Sequence, residues 1–177
     1  MTAHHLLMYA PLIALLVWAA IDDVRTRRIA NWLTGSLAMG GFMLAASGYL
    51  QIGLGASLLG ALVGFALPFL LFALRALGGG DVKLFAAVGA WLGATGALQV
   101  FLFAGVVGLI IVITQGIVQG KLTKLFRNSA ILAINLMHVH EVGAQQVMQT
   151  GTESRSVDKP LPYAVPILAA TLFVMFR

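Results

Sequence analysis

Three consecutive glycines followed by a carboxylate stand between two long apolar runs, in the stretch Leu77 to Phe85. Each glycine disfavours a helix by up to about 1 kcal/mol relative to alanine, and a carboxylate placed in hydrocarbon is costly. These costs indicate a functional role for Asp81. The glycines permit a turn and a close approach by another chain, such as a substrate backbone, and Asp81 then lies near the N-terminus of the next helix, where unpaired N–H groups stabilise its charge.

A second acidic position follows the first apolar run. Asp22 and Asp23 stand there, and Asp23 opens the string D-V-R-T-R-R-I-A-N, which ends at Asn31. Two carboxylates in a partly dehydrated cleft cannot both ionise easily, so such a pair tends to share one proton. A pair of this kind can hydrolyse a peptide bond, because one carboxylate takes a proton from water while its protonated partner polarises the scissile carbonyl. We expect Asp23 and Asp81 to form the pair, and Asp22 to cap a helix or to pair with a basic side chain.

The remaining polar residues give weaker evidence for other kinds of site, such as a nucleotide-binding loop or a metal site. No G-K-[ST] follows the glycines and no strand precedes them, so a nucleotide-binding loop is not expected. His138 and His140 do not share a helical face, and because H-E-x-x-H is absent we expect an interfacial polar patch there instead of a metal site. The chain has no cysteine, which excludes disulfides and thiolate metal ligands. Three further acids are expected on a solvated face: Glu141, Glu153 and Asp158.

The composition is that of a membrane protein. Hydrophobic residues make up 60% of the 177 positions and charged residues only 10%, with a mean hydropathy of +0.96, whereas soluble domains are about a quarter charged. We predict an all-α, polytopic fold with about six transmembrane helices, because six apolar runs approach the ~20 residues that cross a bilayer. These runs are Leu6–Ile21, Trp32–Ile52, Leu54–Leu77, Val82–Leu98, Val100–Val118 and Leu161–Phe176, with a turn expected between Gly93 and Gly96.

The basic residues set the expected topology. With the N-terminus outside, all of them except Arg177 lie on the cytoplasmic side, together with the glycine–aspartate loop, as the positive-inside rule requires. The net charge of +5 therefore reflects the membrane and not nucleic acid. We predict a single domain over 1–177, with a cytoplasmic segment at about 120–159 that contains an amphipathic helix followed by a loop.

Two further patterns concern packing. Gly60 and Gly64 have the small-x-x-x-small spacing that allows two helices to approach closely. The three tryptophans, Trp18, Trp32 and Trp91, lie toward the ends of apolar runs and predict anchors at the membrane interface.

The two acidic strings resemble a known family. Gly78-Gly79-Gly80-Asp81-Val82-Lys83 resembles the G-x-G-D-x-K signature of type IV prepilin peptidases, which are GxGD membrane aspartyl proteases. The string from Asp23 to Asn31 is similar to the family's D-x-R-x-x-x-I-P-N, except that Ala30 replaces the proline. Near the C-terminus, L-P-Y-A-V-P looks like a segment of the short members that serve tight-adherence (Flp) pili.

The resemblance implies a function in the bacterial inner membrane. Asp23 and Asp81 would be the catalytic dyad, Gly78 and Gly80 would shape the loop, and three other positions match the motifs without a settled role: Arg25, Asn31 and Lys83. Substrates would be prepilin or pseudopilin precursors, cut on the cytoplasmic side between a basic leader and an apolar helix, with the pilus assembly machinery as a further partner. No metal or cofactor is implied. Methyl transfer is not expected, because the cysteine-bearing insertion of longer members is absent.

Two other classes of function are compatible with a membrane protein of this kind. A proton- or cation-coupled transporter would use membrane carboxylates as relay sites, but no acidic residue lies in the middle of a predicted span. A non-enzymatic scaffold of a secretion complex would not require Asp81 at all. Uptake by reconstituted vesicles would favour the first alternative, and wild-type behaviour of an Asp81 variant would favour the second.

Overall fold

The computed structural model describes residues 3–74, 76–120 and 162–177, with side chains from residue 8 onward. Within these ranges every regular element is a helix, as predicted for an all-α protein. The predictions for the 120–159 segment, including the amphipathic helix, His138 and His140, lie outside the described residues. The five helices are α1 (Ala3–Thr26), α2 (Asn31–Ala46), α3 (Leu54–Ala73), α4 (Gly79–Val118) and α5 (Ala164–Phe176).

Helix α3 has small and polar residues inside and large apolar residues outside. It buries Ser57, Gly60, Gly64 and Pro68, while its exposed side chains include Leu58, Leu59, Leu62, Phe65, Phe69 and Leu70. This arrangement is typical of helices that associate in lipid, where the surroundings are as apolar as leucine and close packing holds the helices together. Both α3 and α4 are long and apolar enough to cross a membrane. The six-span topology stays a prediction.

The small residues of α3 bring its backbone against α4. A Cβ atom added at Gly60 would overlap the carbonyl oxygen of Gly89, and one added at Gly64 would lie 2.5 Å from that of Phe85. Ser57 lies on the same face and donates a hydrogen bond to the carbonyl of Ala90, which satisfies its buried hydroxyl. The close helix contact predicted from the spacing of Gly60 and Gly64 is therefore confirmed.

Helix α4 folds back on itself at Gly93. This residue adopts φ 72° and ψ −179°, a conformation outside the helical region that glycine reaches without steric cost. The rings of Phe85 and Phe101 lie 5.7 Å apart, whereas sixteen residues of straight helix would separate them by about 24 Å. The break falls at the start of the turn predicted between Gly93 and Gly96, and it creates two apolar rods, 79–92 and 94–118.

Trp91 corrects one expectation. Its side chain is 1% exposed, and its indole N–H donates to the carbonyl of Leu37 over 2.7 Å. A Cβ at Gly41 would lie 2.9 Å from the indole, so α2 leaves room for this ring. The prediction of an interface anchor at Trp91 is wrong, because the fold-back at Gly93 places the residue beside α2. Trp18 and Trp32 are each 58% exposed, as interface anchoring requires.

Candidate active site

Asp23 lies in the last turns of α1, beyond the apolar run Leu6–Ile21, and is only 6% exposed. The helix ends soon afterwards, where Arg27 takes a left-handed conformation with φ 56° and its N–H donates to the carbonyl of Asp23. This reversal turns the chain so that Ile29 lies against the first turn of α4. The end of α1 thus holds a buried carboxylate beside the loop that leads to α2.

Asp81 is the third residue of α4 and is partly exposed. Its Oδ2 accepts the backbone N–H of Gly78 over 3.2 Å, which satisfies one of the unpaired donors at the helix start. A Cβ atom at Gly78 would lie 2.9 Å from that oxygen. The absence of a side chain at Gly78 therefore lets the carboxylate fold back over the helix terminus. The glycines of this loop keep negative φ angles, so they provide space for close contacts and not a left-handed turn.

The structure brings together the two sequence motifs that carry Asp23 and Asp81. A Cβ at Gly80 would lie 3.3 Å from the Cβ of Ile29, so the first turn of α4 packs directly on the loop after α1. Lys83 Nζ donates to Asn31 Oδ1 over 2.8 Å. The carboxylates of Asp23 and Asp81 are near enough for their charges to interact. They can therefore influence each other's protonation.

Several groups act on the Asp23 carboxyl. Burial raises its pKa above the usual range, and the backbone N–H of Ala164, which donates to Oδ2 over 3.1 Å, acts in the opposite direction. The charge of Arg27 also lowers the pKa, while that of Asp22 raises it. Burial has the largest effect because it penalises the ionised form. Asp23 therefore keeps its proton to higher pH than an exposed aspartate does.

The remaining predicted residues lie at the margin of this cluster. Arg25 is exposed in the last turn of α1, where a cation interacts favourably with the helix C-terminus. Asp22 is partly buried and accepts the hydroxyl of Thr26 on its backbone carbonyl, over 2.9 Å. This contact involves the backbone of Asp22, so the capping or pairing role expected for its carboxylate stays a prediction.

Two residues that the sequence did not single out complete the cluster. Ala164 is the first residue of α5 and supplies the N–H to Asp23. Tyr163 precedes it and lies within range of the charge of Asp81. The segment L-P-Y-A-V-P was noted for its resemblance alone, and a backbone N–H has no signature in residue types.

Two cavities border the cluster. A groove of about 370 Å³ opens between α2, α3 and α4, and Lys83 and Asn31 are part of its lining. Its other lining residues are mainly apolar or small: Thr34, Gly35, Ala38, Phe42, Ala61, Phe65, Ala86 and Ala87. A smaller pocket of about 130 Å³ is lined by Phe85, Phe101 and Tyr163, among others. In the described part of the chain, no group of three or more histidine or acidic side chains is arranged to hold a metal ion.

Two of the described helices are long and apolar enough to cross a membrane, and Asp23 and Asp81 lie near helix ends, which is typical of membrane proteins with a polar site at the edge of the bilayer. A family model, that of the type IV leader peptidases, matches residues 10–113. The chain therefore belongs to the type IV leader peptidase family, which indicates a membrane protease with prepilin-type substrates. Comparisons with curated proteins and with solved structures give no significant match.

Proposed function

We propose that this protein is an aspartyl endopeptidase that removes the leader peptide from prepilin-like precursors, with Asp23 and Asp81 as its catalytic dyad. The observation that carries the proposal is the convergence of the two strings, in which Gly80 packs on Ile29, Lys83 binds Asn31 and the two carboxylates interact. Membership of the leader peptidase family supports the reaction class.

In the proposed reaction the dyad holds one proton. The ionised carboxylate takes a proton from a water molecule as the water oxygen attacks the scissile carbonyl carbon, and the protonated carboxyl gives its proton to the carbonyl oxygen. The gem-diol intermediate then collapses: one carboxylate takes the proton of a hydroxyl group as the carbonyl re-forms, the C–N bond breaks, and the protonated carboxyl gives its proton to the leaving nitrogen, which returns the dyad to its starting state with one proton. The products are a new carboxyl group on the leader and a free amine on the mature chain.

The enzyme would act in the bacterial inner membrane as a multi-pass protein, with the dyad facing the cytoplasm. The basic residues Arg25 and Arg28 follow Asp23 closely in the chain. The positive-inside rule assigns a loop with such residues to the cytoplasmic side. The apolar helix of the precursor would pack in the groove between α2, α3 and α4, because the groove is lined almost wholly by apolar and small residues and includes Lys83, two residues beyond Asp81. Tight-adherence pilins are the proposed substrate group, because the segment L-P-Y-A-V-P resembles one found in the peptidases that serve those pili.

The direct test uses purified protein and a candidate precursor, with the mass of the product measured after incubation. Wild-type protein should release the leader, and Asp23→Asn or Asp81→Asn should each abolish release while the protein still inserts into the membrane. Asp22→Asn is the matched control and should retain most of the activity. Full processing by either dyad variant would exclude the mechanism, and equal loss in the control would mean that Asp22 and not Asp23 is the partner of Asp81.

A further inference from the structure

We propose that the backbone N–H of Ala164 positions the Asp23 carboxylate for reaction, so that the C-terminal helix α5 forms part of the active site. This inference rests on the proposed peptidase function, and it extends the site beyond residues 10–113, the range that the family match covers. Ala164 is a positioning residue in this account, because it acts through Asp23.

The contact is built between parts of the chain that are distant in sequence. Ala164 N donates to Asp23 Oδ2 over 3.1 Å, and 141 positions separate the two residues. Ala164 is the first residue of α5, so its N–H has no carbonyl partner inside the helix and is free to bind a side chain. Both residues are buried, Ala164 completely and Asp23 at 6% exposure. A buried carboxylate needs such a donor, because an ionised group without one is strongly destabilised.

The donor is held in place by the packing of α5. Ile167 and Ala170 are buried on the same helix, and Phe173 packs its ring against Phe103 of α4 at a centroid distance of 4.6 Å. The N–H of Ile167 also bonds to the carbonyl of Tyr163, which continues the helix past its first turn. The direction of the Ala164 N–H is thus set by the docking of the whole helix on α4.

The same turn reaches the second carboxylate. Tyr163 lies close enough to Asp81 for the charge of that residue to act on its hydroxyl. Ala164 therefore contacts Asp23, and its neighbour Tyr163 lies within electrostatic range of Asp81. One segment thus binds one carboxylate directly and lies near the other.

The test replaces one amide by an ester. Lactic acid at position 164, introduced by nonsense suppression, removes the N–H and leaves the side chain unchanged. The matched control is the corresponding α-hydroxy acid at position 165, because Val165 N–H bonds to the carbonyl of Pro162 and not to a carboxylate. The charged and titratable groups around the two carboxylates stay in place in both proteins: Asp22 and Arg27 near Asp23, and Tyr163 near Asp81.

The first readout is the pH dependence of precursor cleavage. The N–H favours the ionised form of Asp23, so its loss should move at least one limb of the pH profile to higher pH by about one unit. Each limb of the pH profile reports a pKa of the coupled pair of carboxyl groups and not of one residue alone. The 165 ester should keep the wild-type profile. Identical profiles for the two ester proteins would overturn the proposal.

The second readout does not need activity. Dicyclohexylcarbodiimide reacts with protonated carboxyl groups, and mass spectrometry locates the label on Asp23. The pH at which labelling falls by half should rise by about one unit in the 164 ester relative to the 165 ester. If the wild-type protein cleaves no precursor, the proposed function fails, and the labelling shift alone decides this inference. If cleavage is normal but neither readout moves, only the role of Ala164 fails.

Discussion

Lys83 and Asn31 form a hydrogen bond of 2.8 Å between Nζ and Oδ1, although 52 positions separate them in the chain. Lys83 ends one motif, two positions after Asp81, and Asn31 ends the other, eight positions after Asp23. The bond joins the start of α2 to the first turn of α4, next to the contact between Gly80 and Ile29. It therefore ties together the two segments that carry the proposed dyad.

Breaking this bond should lower activity without unfolding the protein. Both side chains are exposed, so the loss in stability is small, but the first turn of α4 becomes free to move relative to the loop after α1. A hydrogen bond of this kind contributes about 0.5–1.5 kcal/mol, which corresponds to a roughly twofold to tenfold loss of kcat/KM for Lys83→Met or Asn31→Ala.

A double-mutant cycle distinguishes a joint role of Lys83 and Asn31, through their hydrogen bond, from separate roles of the two residues. If the residues act through their mutual bond, the double variant should lose little more activity than either single variant. Lys83→Arg is the control, since it keeps a donor near Asn31. Losses that simply add would contradict the role as a pair and would point to separate contacts with the substrate.

The glycines before Asp81 should differ sharply in their tolerance of alanine. At Gly78 a Cβ would lie 2.9 Å from Asp81 Oδ2, so Gly78→Ala should displace the carboxylate and lower kcat at least tenfold. At Gly79 the nearest atom would be a Phe72 ring carbon at an ordinary 3.5 Å, so Gly79→Ala should remain active. Alanine should also stabilise the helix there, by up to about 1 kcal/mol. Cleavage rates and thermal unfolding of the two purified variants provide the measurement, and equal loss in both would contradict this account of the loop.

The sequence was sufficient to predict where the motifs that carry Asp23 and Asp81 would lie, because motif residues and helix ends are local features of the chain. Asp81 lies in the first turn of α4 and Asp23 near the end of α1, as expected. The close contact at Gly60 and Gly64 followed from spacing alone. The glycines permit close contacts inside the protein, between Gly78 and Asp81 and between Gly80 and Ile29, in addition to the turn that was expected, and none of the three has a positive φ.

Other features depend on tertiary contacts and could not be predicted in this way. Trp91 stands near the end of an apolar run, which is typical of an interface anchor, yet the fold-back at Gly93 buries it against α2. The donor to Asp23 is a backbone N–H, so the identity of Ala164 carries no information about it. Its position depends on how α5 packs against α4, which only the three-dimensional structure shows.

The groove between α2, α3 and α4 offers a clean test of where the precursor helix packs. A Cβ at Gly35, on the groove wall, would meet nothing within 4 Å, so Gly35→Leu should fill the groove without disturbing the fold. We expect KM for the precursor to rise at least about tenfold, since a buried leucine-sized contact contributes about 1.5–3 kcal/mol and would be lost.

Gly55→Leu is the matched control for this experiment. Gly55 also lies on an exposed helix position with nothing within 4 Å, but it does not line the groove. Its variant should keep the wild-type KM, as measured with a fluorescent precursor peptide in detergent. A similar rise in KM for both variants would indicate a general effect of leucine on the helices and not occupation of the groove.

The contact between α3 and α4 should be the least tolerant part of the fold. A Cβ at Gly60 would overlap the carbonyl oxygen of Gly89, and the backbone of neither helix can yield as a flexible side chain would. Gly60→Ala should therefore lower the free energy of unfolding by about 1–3 kcal/mol, the usual cost of overpacking, despite the better helix propensity of alanine. Gly55→Ala, on the open face of the same helix, should instead be neutral or slightly stabilising. Thermal unfolding of both variants in detergent measures the difference, and the same unfolding temperature for the two would mean that α3 and α4 do not touch through their backbones.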